Sequence, residues 1–213
     1  MVCHVGRVDV LPMFPLGTVL LPGNPLPLQV FEPRYLAMLR DIAGGDGRFG
    51  VVLIERGFEV GGGDERFSIG TVAEVERVSP AADRIRLVAR GAERFEVVRW
   101  LDDDPYPRAE VSPLSDLVWE DEQSSQLDET DRVVRRALAV MSEYRTQVWP
   151  ADVELSEDPV MKAWQLAGVA PLGTLDRLAL LRSASVGELL ERTEQLTTEA
   201  VDLLPLQFPD DPA

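Results

Sequence analysis

The run Arg84-Ile85-Arg86-Leu87-Val88-Ala89-Arg90 decides the fold of the first half of this chain. Arg84, Arg86, Val88 and Arg90 fall on one side, and Ile85, Leu87 and Ala89 on the other. That is the two-residue period of a half-buried strand. Gly91 and Ala92 interrupt the run, and Phe95 to Trp100 resumes it as a separate strand. Upstream, Ile69 to Val78 alternates too, with Glu74 and Glu76 opposite Ala73 and Val75, and Pro80 to Asp83 reads as the turn between the two. Phe49-Gly50-Val51-Val52-Leu53-Ile54 is a continuous apolar strand, Gly61-Gly62-Gly63-Asp64 a flexible loop, and Tyr106 to Val111 the last strand. Short strands spaced about 8–12 residues apart predict a barrel or a sandwich.

The flanks differ from this β region. Pro12, Pro15, Pro22, Pro25 and Pro27 crowd the start, and proline removes a ladder donor, so residues 8–30 read as short edge strands and extended connections. Pro33 opens a helix over residues 33–43, with Tyr35, Met38, Leu39 and Ile42 as its core stripe and Gly44-Gly45 as its stop. Residues 115–129 are acidic and aperiodic and read as a linker, with Trp119 as the one large apolar residue to pin it. Beyond it, Val133, Val134, Ala137, Met141, Tyr144 and Val148 keep helical spacing. Asp158-Pro159 opens a second helix that stops at Gly168, and a third runs near Leu175 to Leu181. A fourth follows the capping box Ser185-Val186-Gly187-Glu188, and Pro209 to Ala213 should fray. Four amphipathic helices with short connections predict a bundle. The fold class is α+β, with a β domain over residues 1–114, an acidic linker over 115–129 and a helical bundle over 130–208.

Composition narrows the function. A chain of 213 residues buries roughly 70% of its unfolded surface, enough for a core without staples. No apolar run approaches the ~18 residues of a membrane span, and no signal peptide is visible. Cys3 is the only cysteine, which excludes an internal disulfide and points to the cytoplasm. The net charge is -16. Residues 1–114 hold 17 acids and 13 bases, and residues 115–213 hold 20 and 8. Such an excess repels phosphate backbones and disfavours nucleic acid as a partner.

Catalytic chemistry finds little to work with. His4 is the only histidine, so a Ser-His-Asp or Cys-His arrangement is not expected. Zinc sites need several His or Cys ligands, and the chain has one of each, so no metal is expected. No phosphate-binding GxxxxGK[ST] occurs and no cofactor is implied. Lys162, the sole lysine, lies in a helical pattern with no serine motif pointing to it. Asp102-Asp103-Asp104 and Glu120-Asp121-Glu122 read as solvated acidic clusters.

A family resemblance emerges at the proline-rich start. Met13-Phe14-Pro15-Leu16-Gly17, Leu21-Pro22-Gly23, Leu26-Pro27-Leu28 and Phe31-Glu32-Pro33-Arg34-Tyr35 together resemble the N-terminal domain of Lon proteases. Phe49-Gly50-Val51-Val52, Ile69-Gly70-Thr71-Val72, Gly91-Ala92-Glu93-Arg94-Phe95 and Pro105-Tyr106 continue the likeness in order, and Asp176-Arg177-Leu178 resembles the helices that follow. The resemblance implies a small PUA-like β-barrel and then an α-helical bundle. It also implies a polypeptide-engaging role, like that of cereblon, a substrate receptor with the same β domain. The chain ends before Lon's ATPase and peptidase modules would fit, so a free-standing, non-enzymatic module is expected.

That reading gives an adaptor or holdase for unfolded or degron-bearing polypeptides, or for a protease or chaperone partner, with a groove lined by apolar residues expected between barrel and bundle. Phe31, Glu32, Arg34 and Tyr35 are its candidate binding residues. Structural locking competes at the same positions: a carboxylate at Glu32 favours the helix N-terminus, Arg34 can pair across to the β domain, and Tyr35 suits a core. Gly50, Gly70 and Gly91 suit bulges or close backbone approach, and Arg94 and Phe95 suit a strand with one side chain out and one in. The alternative is a PUA-like small-molecule or RNA binder using Arg84, Arg86 and Arg90 as a basic stripe.

Overall fold

The computed structural model describes residues 8–56, 65–81, 84–144 and 149–203. The expected Gly61–Asp64 loop, Val148, the fraying end and the Cys3-His4 pair lie outside them, as does part of the Pro80–Asp83 turn. The chain divides into two units, Met1–Asp116 and Leu117–Ala213.

The first unit contains β1 (Asp9–Leu16), β2 (Pro25–Val30), α1 (Pro33–Ala43), β3 (Arg48–Arg56), β4 (Glu65–Ala81), β5 (Arg84–Trp100) and β6 (Arg108–Pro113). They form a mixed six-stranded sheet in the order β2-β5-β4-β3-β1-β6, with β5 also pairing β6. β1 runs parallel to β3 and antiparallel to β6. The parallel pair needs a crossover, which β2 and α1 supply. β1, β3, β4, β5 and β6 close a circuit of pairings, and β5 pairs with β2 as well. β2 pairs only β5, and its Pro25 and Pro27 suit an edge.

Strand alternation feeds two apolar clusters. Phe14, Val51 and Ala73 join one cluster, and their neighbours Met13, Val52 and Val72 join the other. α1 caps the first with the predicted stripe of Tyr35, Met38, Leu39 and Ile42. The Tyr106 hydroxyl ties α1 down by donating to Asp41 Oδ2 at 2.8 Å. In the second cluster the Phe95 ring, 1% exposed, lies against Gly50 and Gly70. A Cβ on Gly70 would overlap the Val51 carbonyl oxygen and stand 2.6 Å from Phe95 Cζ; one on Gly50 would stand 2.9 Å from the same atom.

Two expectations change here. The interruption at Gly91-Ala92 is no strand end: β5 runs through it, with a register shift against β4 between Thr71 and Ala73. Gly91 is needed because its missing side chain leaves room for the Leu21 carbonyl, and its amide and carbonyl both bond the Leu21–Asn24 turn. Nor does Arg94 point outward. It is 6% exposed, and its Nη2 donates to Ser115 O at 2.7 Å, fastening the end of the unit.

The second unit contains a 3-10 turn (Asp121–Gln123), α2 (Ser124–Tyr144), α3 (Pro159–Val169), α4 (Thr174–Leu181) and α5 (Val186–Asp202). α2 takes in residues 124–129, which the sequence assigns to the linker. Those turns are polar because only Leu127 and Thr130 are buried there, too few to show a period. Gln123 caps the preceding turn by accepting the Glu120 amide at 3.2 Å. Trp119 donates to Asp121 Oδ1 at 3.3 Å. α3 begins as expected, with Asp158 Oδ1 accepting the Met161 amide at 2.7 Å. It passes the expected stop at Gly168 and ends at Val169, because Pro171 holds the following Ala170 in extended backbone (ψ 139). α5 is capped by Ser185 Oγ, which accepts the Glu188 amide at 3.1 Å.

Substituting Gly70→Ala should cost about 3 kcal/mol, because the new methyl meets backbone as well as a ring that has no space to retreat. The melting temperature of the β unit should drop by roughly 10 °C. Gly45→Ala, whose Cβ would stand 3.7 Å from the nearest atom, should change it little. Thermal unfolding of both variants beside the wild type checks this.

Candidate functional site

Three places are candidates, two of them expected from the sequence. The first is the junction of β2 and α1. Pro33 sets the first turn of α1 and Glu32 is its N-cap, but the Glu32 carboxylate makes no capping bond. It accepts from Arg34 Nε at 3.1 Å instead. The Arg34 guanidinium lies over the Tyr35 ring, 4.5 Å from its centroid. Tyr35 in turn stacks on Phe14 at 4.0 Å with the planes 8° apart, and Phe14 meets Phe49 at 6.0 Å. The result is a continuous chain of contacts from carboxylate through cation to a stacked ring pair and a third, tilted ring. Tyr35 is 2% exposed and belongs to the core, whereas Phe31 is 52% exposed. The segment therefore offers a ligand one large apolar side chain, beside a charged pair engaged in holding the junction.

The second place is the arginine stripe of β5. Arg90 pairs with Glu76 and donates from Nη1 to Gly23 O at 2.9 Å. Arg84 donates to Gln29 Oε1 at 3.1 Å. The stripe is thus threaded into the sheet's own neighbours and bordered by acids from β4. The Arg94 guanidinium is pushed below its ordinary value by burial, partly offset by Asp116. The Tyr106 hydroxyl is pushed up by burial and by its bond to Asp41.

The third place is a groove of about 780 Å3 within the helical unit. α2 contributes Leu138 and Met141 to it, α5 contributes Leu196, and Trp149 and Leu203 stand at it 44% and 49% exposed. Its volume falls in the range of small-ligand sites. Nothing in the helical periods of the sequence singles it out. The one available signal is that Trp149-Pro150 and Val169-Ala170-Pro171-Leu172-Gly173 place apolar residues where helices cannot continue.

Among the described residues, no group of three His, Cys, Asp or Glu is placed to hold a metal ion. Asp103 of the first acidic cluster pairs with Arg66 at 3.1 Å.

Comparison with known proteins decides the family. The model for the substrate-binding domain of ATP-dependent protease La (LON) matches residues 10–199. The chain belongs to the LON substrate-binding domain family. Lon protease 1 of Herpetosiphon aurantiacus is 23% identical over 211 residues, covering 93% of this chain and 25% of that protein. The chain thus spans about a quarter of that relative's length. Among solved structures, the Lon N-terminal domain protein from Xanthomonas campestris is similar, with a TM-score of 0.62 and 29% identity over 89% of this chain and 98% of the other. The N-terminal domain of Mycobacterium avium complex Lon protease has the same fold, with a TM-score of 0.65, 18% identity, and coverage of 90% and 99%.

Within this LON domain, Arg34→Ala should cost about 1–3 kcal/mol of stability by stranding Glu32 and uncovering the Tyr35 ring. Tyr35→Ala should cost about 3–5 kcal/mol by emptying the place beside Phe14. Thermal unfolding, with binding to an unfolded polypeptide measured in parallel, reads both. Unchanged melting with abolished binding would make the junction a ligand site instead.

Proposed function

We propose that this chain is a non-enzymatic polypeptide-binding module that acts in the cytoplasm as an adaptor or holdase. It would engage unfolded or degron-bearing polypeptides, alone or for a protease or chaperone partner. The observation that carries this reading is the match to a substrate-binding domain family along nearly the whole described chain. Two features support it physically. Phe31 and the rim of the helical groove expose large apolar side chains, the surface that an unfolded segment buries. The circuit of strand pairings supports reading the β unit as a small PUA-like barrel, a scaffold that holds Phe31 at its margin. The ties of Arg84 and Arg90 weigh against the RNA-binding alternative.

Fluorescence anisotropy with reduced, carboxymethylated α-lactalbumin tests the proposal. Micromolar binding is expected, about -8 kcal/mol, at least tenfold weaker for the native disulfide-bonded protein. Phe31→Ser should weaken binding severalfold at unchanged melting temperature, because the side chain is exposed. No binding, or equal binding of native and unfolded forms, would overturn the reading. So would ATP hydrolysis or casein cleavage that persists through further purification.

A further inference from the structure

Arg177 stands out among the cations of the helical unit. It lies on α4 and lines the groove. Its Nη2 donates to Ala170 O at 3.2 Å, while its buried Nε has no partner. Among the described residues it forms no ion pair. The two carboxylates that share the groove wall are engaged elsewhere: Asp176 accepts the Gly173 amide at 3.3 Å, and Glu199 accepts Gln195 Nε2 at 2.8 Å. Burial pushes the Arg177 guanidinium below its ordinary value with no acid to offset it, unlike Arg94, which Asp116 supports. Elsewhere in this unit Arg135 and Lys162 share Asp131 at 2.6 and 2.8 Å, and Arg192 pairs with Glu188 at 2.9 Å, whereas Arg136 and Arg182 are exposed to solvent.

A partly buried arginine without a counter-charge is costly, and charges so placed are ordinarily paired. The groove it lines presents Leu138, Met141, Trp149, Leu196 and Leu203, beside the carboxylates of Asp176 and Glu199. An occupant that satisfies both features carries a carboxylate between apolar groups. We propose that this groove binds an apolar polypeptide segment by seating one of its Asp or Glu carboxylates on Arg177. The proposal rests on the polypeptide-binding reading and adds a chemical preference to it. A dense run of acids is a poor occupant, because residues 115–213 carry 20 acids against 8 bases and repel it at a distance. The preferred segment is apolar with a single embedded acid.

Two end-capped peptides test this, identical apolar sequences with Glu or Gln at the centre, so that no terminal carboxylate contributes. Titrated into the wild-type chain by anisotropy, the Glu peptide should bind about tenfold tighter than the Gln peptide. Arg177→Gln should bring that ratio near one while leaving the Gln peptide's affinity within about threefold. Arg177→Lys, which keeps the charge and a donor for Ala170 O, should fold even if the Gln variant does not, and should retain part of the preference. Equal binding of the two peptides to the wild type would overturn the carboxylate site while leaving polypeptide binding standing. A preference that survives in Arg177→Gln would also overturn it, by placing the carboxylate elsewhere. If neither peptide binds and unfolded α-lactalbumin does not either, the polypeptide reading falls, and this proposal with it.

Discussion

The Phe95 ring fills space that two glycines leave empty, and the β unit depends on that fit. Gly50 belongs to β3, Gly70 to β4 and Phe95 to β5, so one ring sets how closely three consecutive members of the circuit approach. Met13 from β1 closes the same pocket, its sulfur 2.5 Å from where a Gly50 Cβ would stand. Interiors are packed as densely as organic crystals, so a single methyl here displaces backbone rather than filling a void. Gly91 performs the same service one bend away, admitting the turn that delivers β2 to the sheet edge. The position of β2 in turn fixes where Phe31 emerges and where α1 begins.

Much of this was legible in the sequence where one physical signal acted alone. The stripe of α1, its Pro33 start and its glycine stop give the observed bounds, since period and caps agree. The capped starts of α3 and α5 were legible for the same reason. Reading failed where tertiary contacts overrode the local signal. Gly91-Ala92 looks like a break because glycine weakens a strand, yet the approaching Leu21 carbonyl is what makes it continuous. The first turns of α2 look like a linker because they bury so few residues. Arg94 looks solvent-facing because it is charged, and its burial serves a carbonyl 21 positions along the chain. The candidate site was the least legible part. Phe31 could be named from its neighbours, but the groove is assembled from four helices and two connections that share no motif.

The two units divide the chemistry between them. In the β unit, three arginines are tied to neighbours within the unit: Arg34 to Glu32, Arg90 to Glu76 and Gly23, Arg94 to Ser115. Among its described residues the exposed aromatic ring is Phe31. The helical unit leaves a groove open, lined by apolar side chains and by Asp176, Arg177 and Glu199, with Trp149 and Leu203 standing at it. Membership in a LON substrate-binding domain family is compatible with this division, since binding a substrate calls for open surface. Exposed apolar side chains at a groove rim are suited to that task, because hydrophobic contact is non-directional.

The most direct measurement is a map of amide chemical-shift changes in the isotope-labelled chain as an unfolded polypeptide is added. A polypeptide-binding module of the kind described here predicts shifts at Met141, Trp149, Leu172 to Arg177 and Leu196 to Leu203, and at Phe31, while the Arg84–Arg90 face of β5 stays silent. Shifts concentrated on that β5 face, with the groove unperturbed, would contradict it.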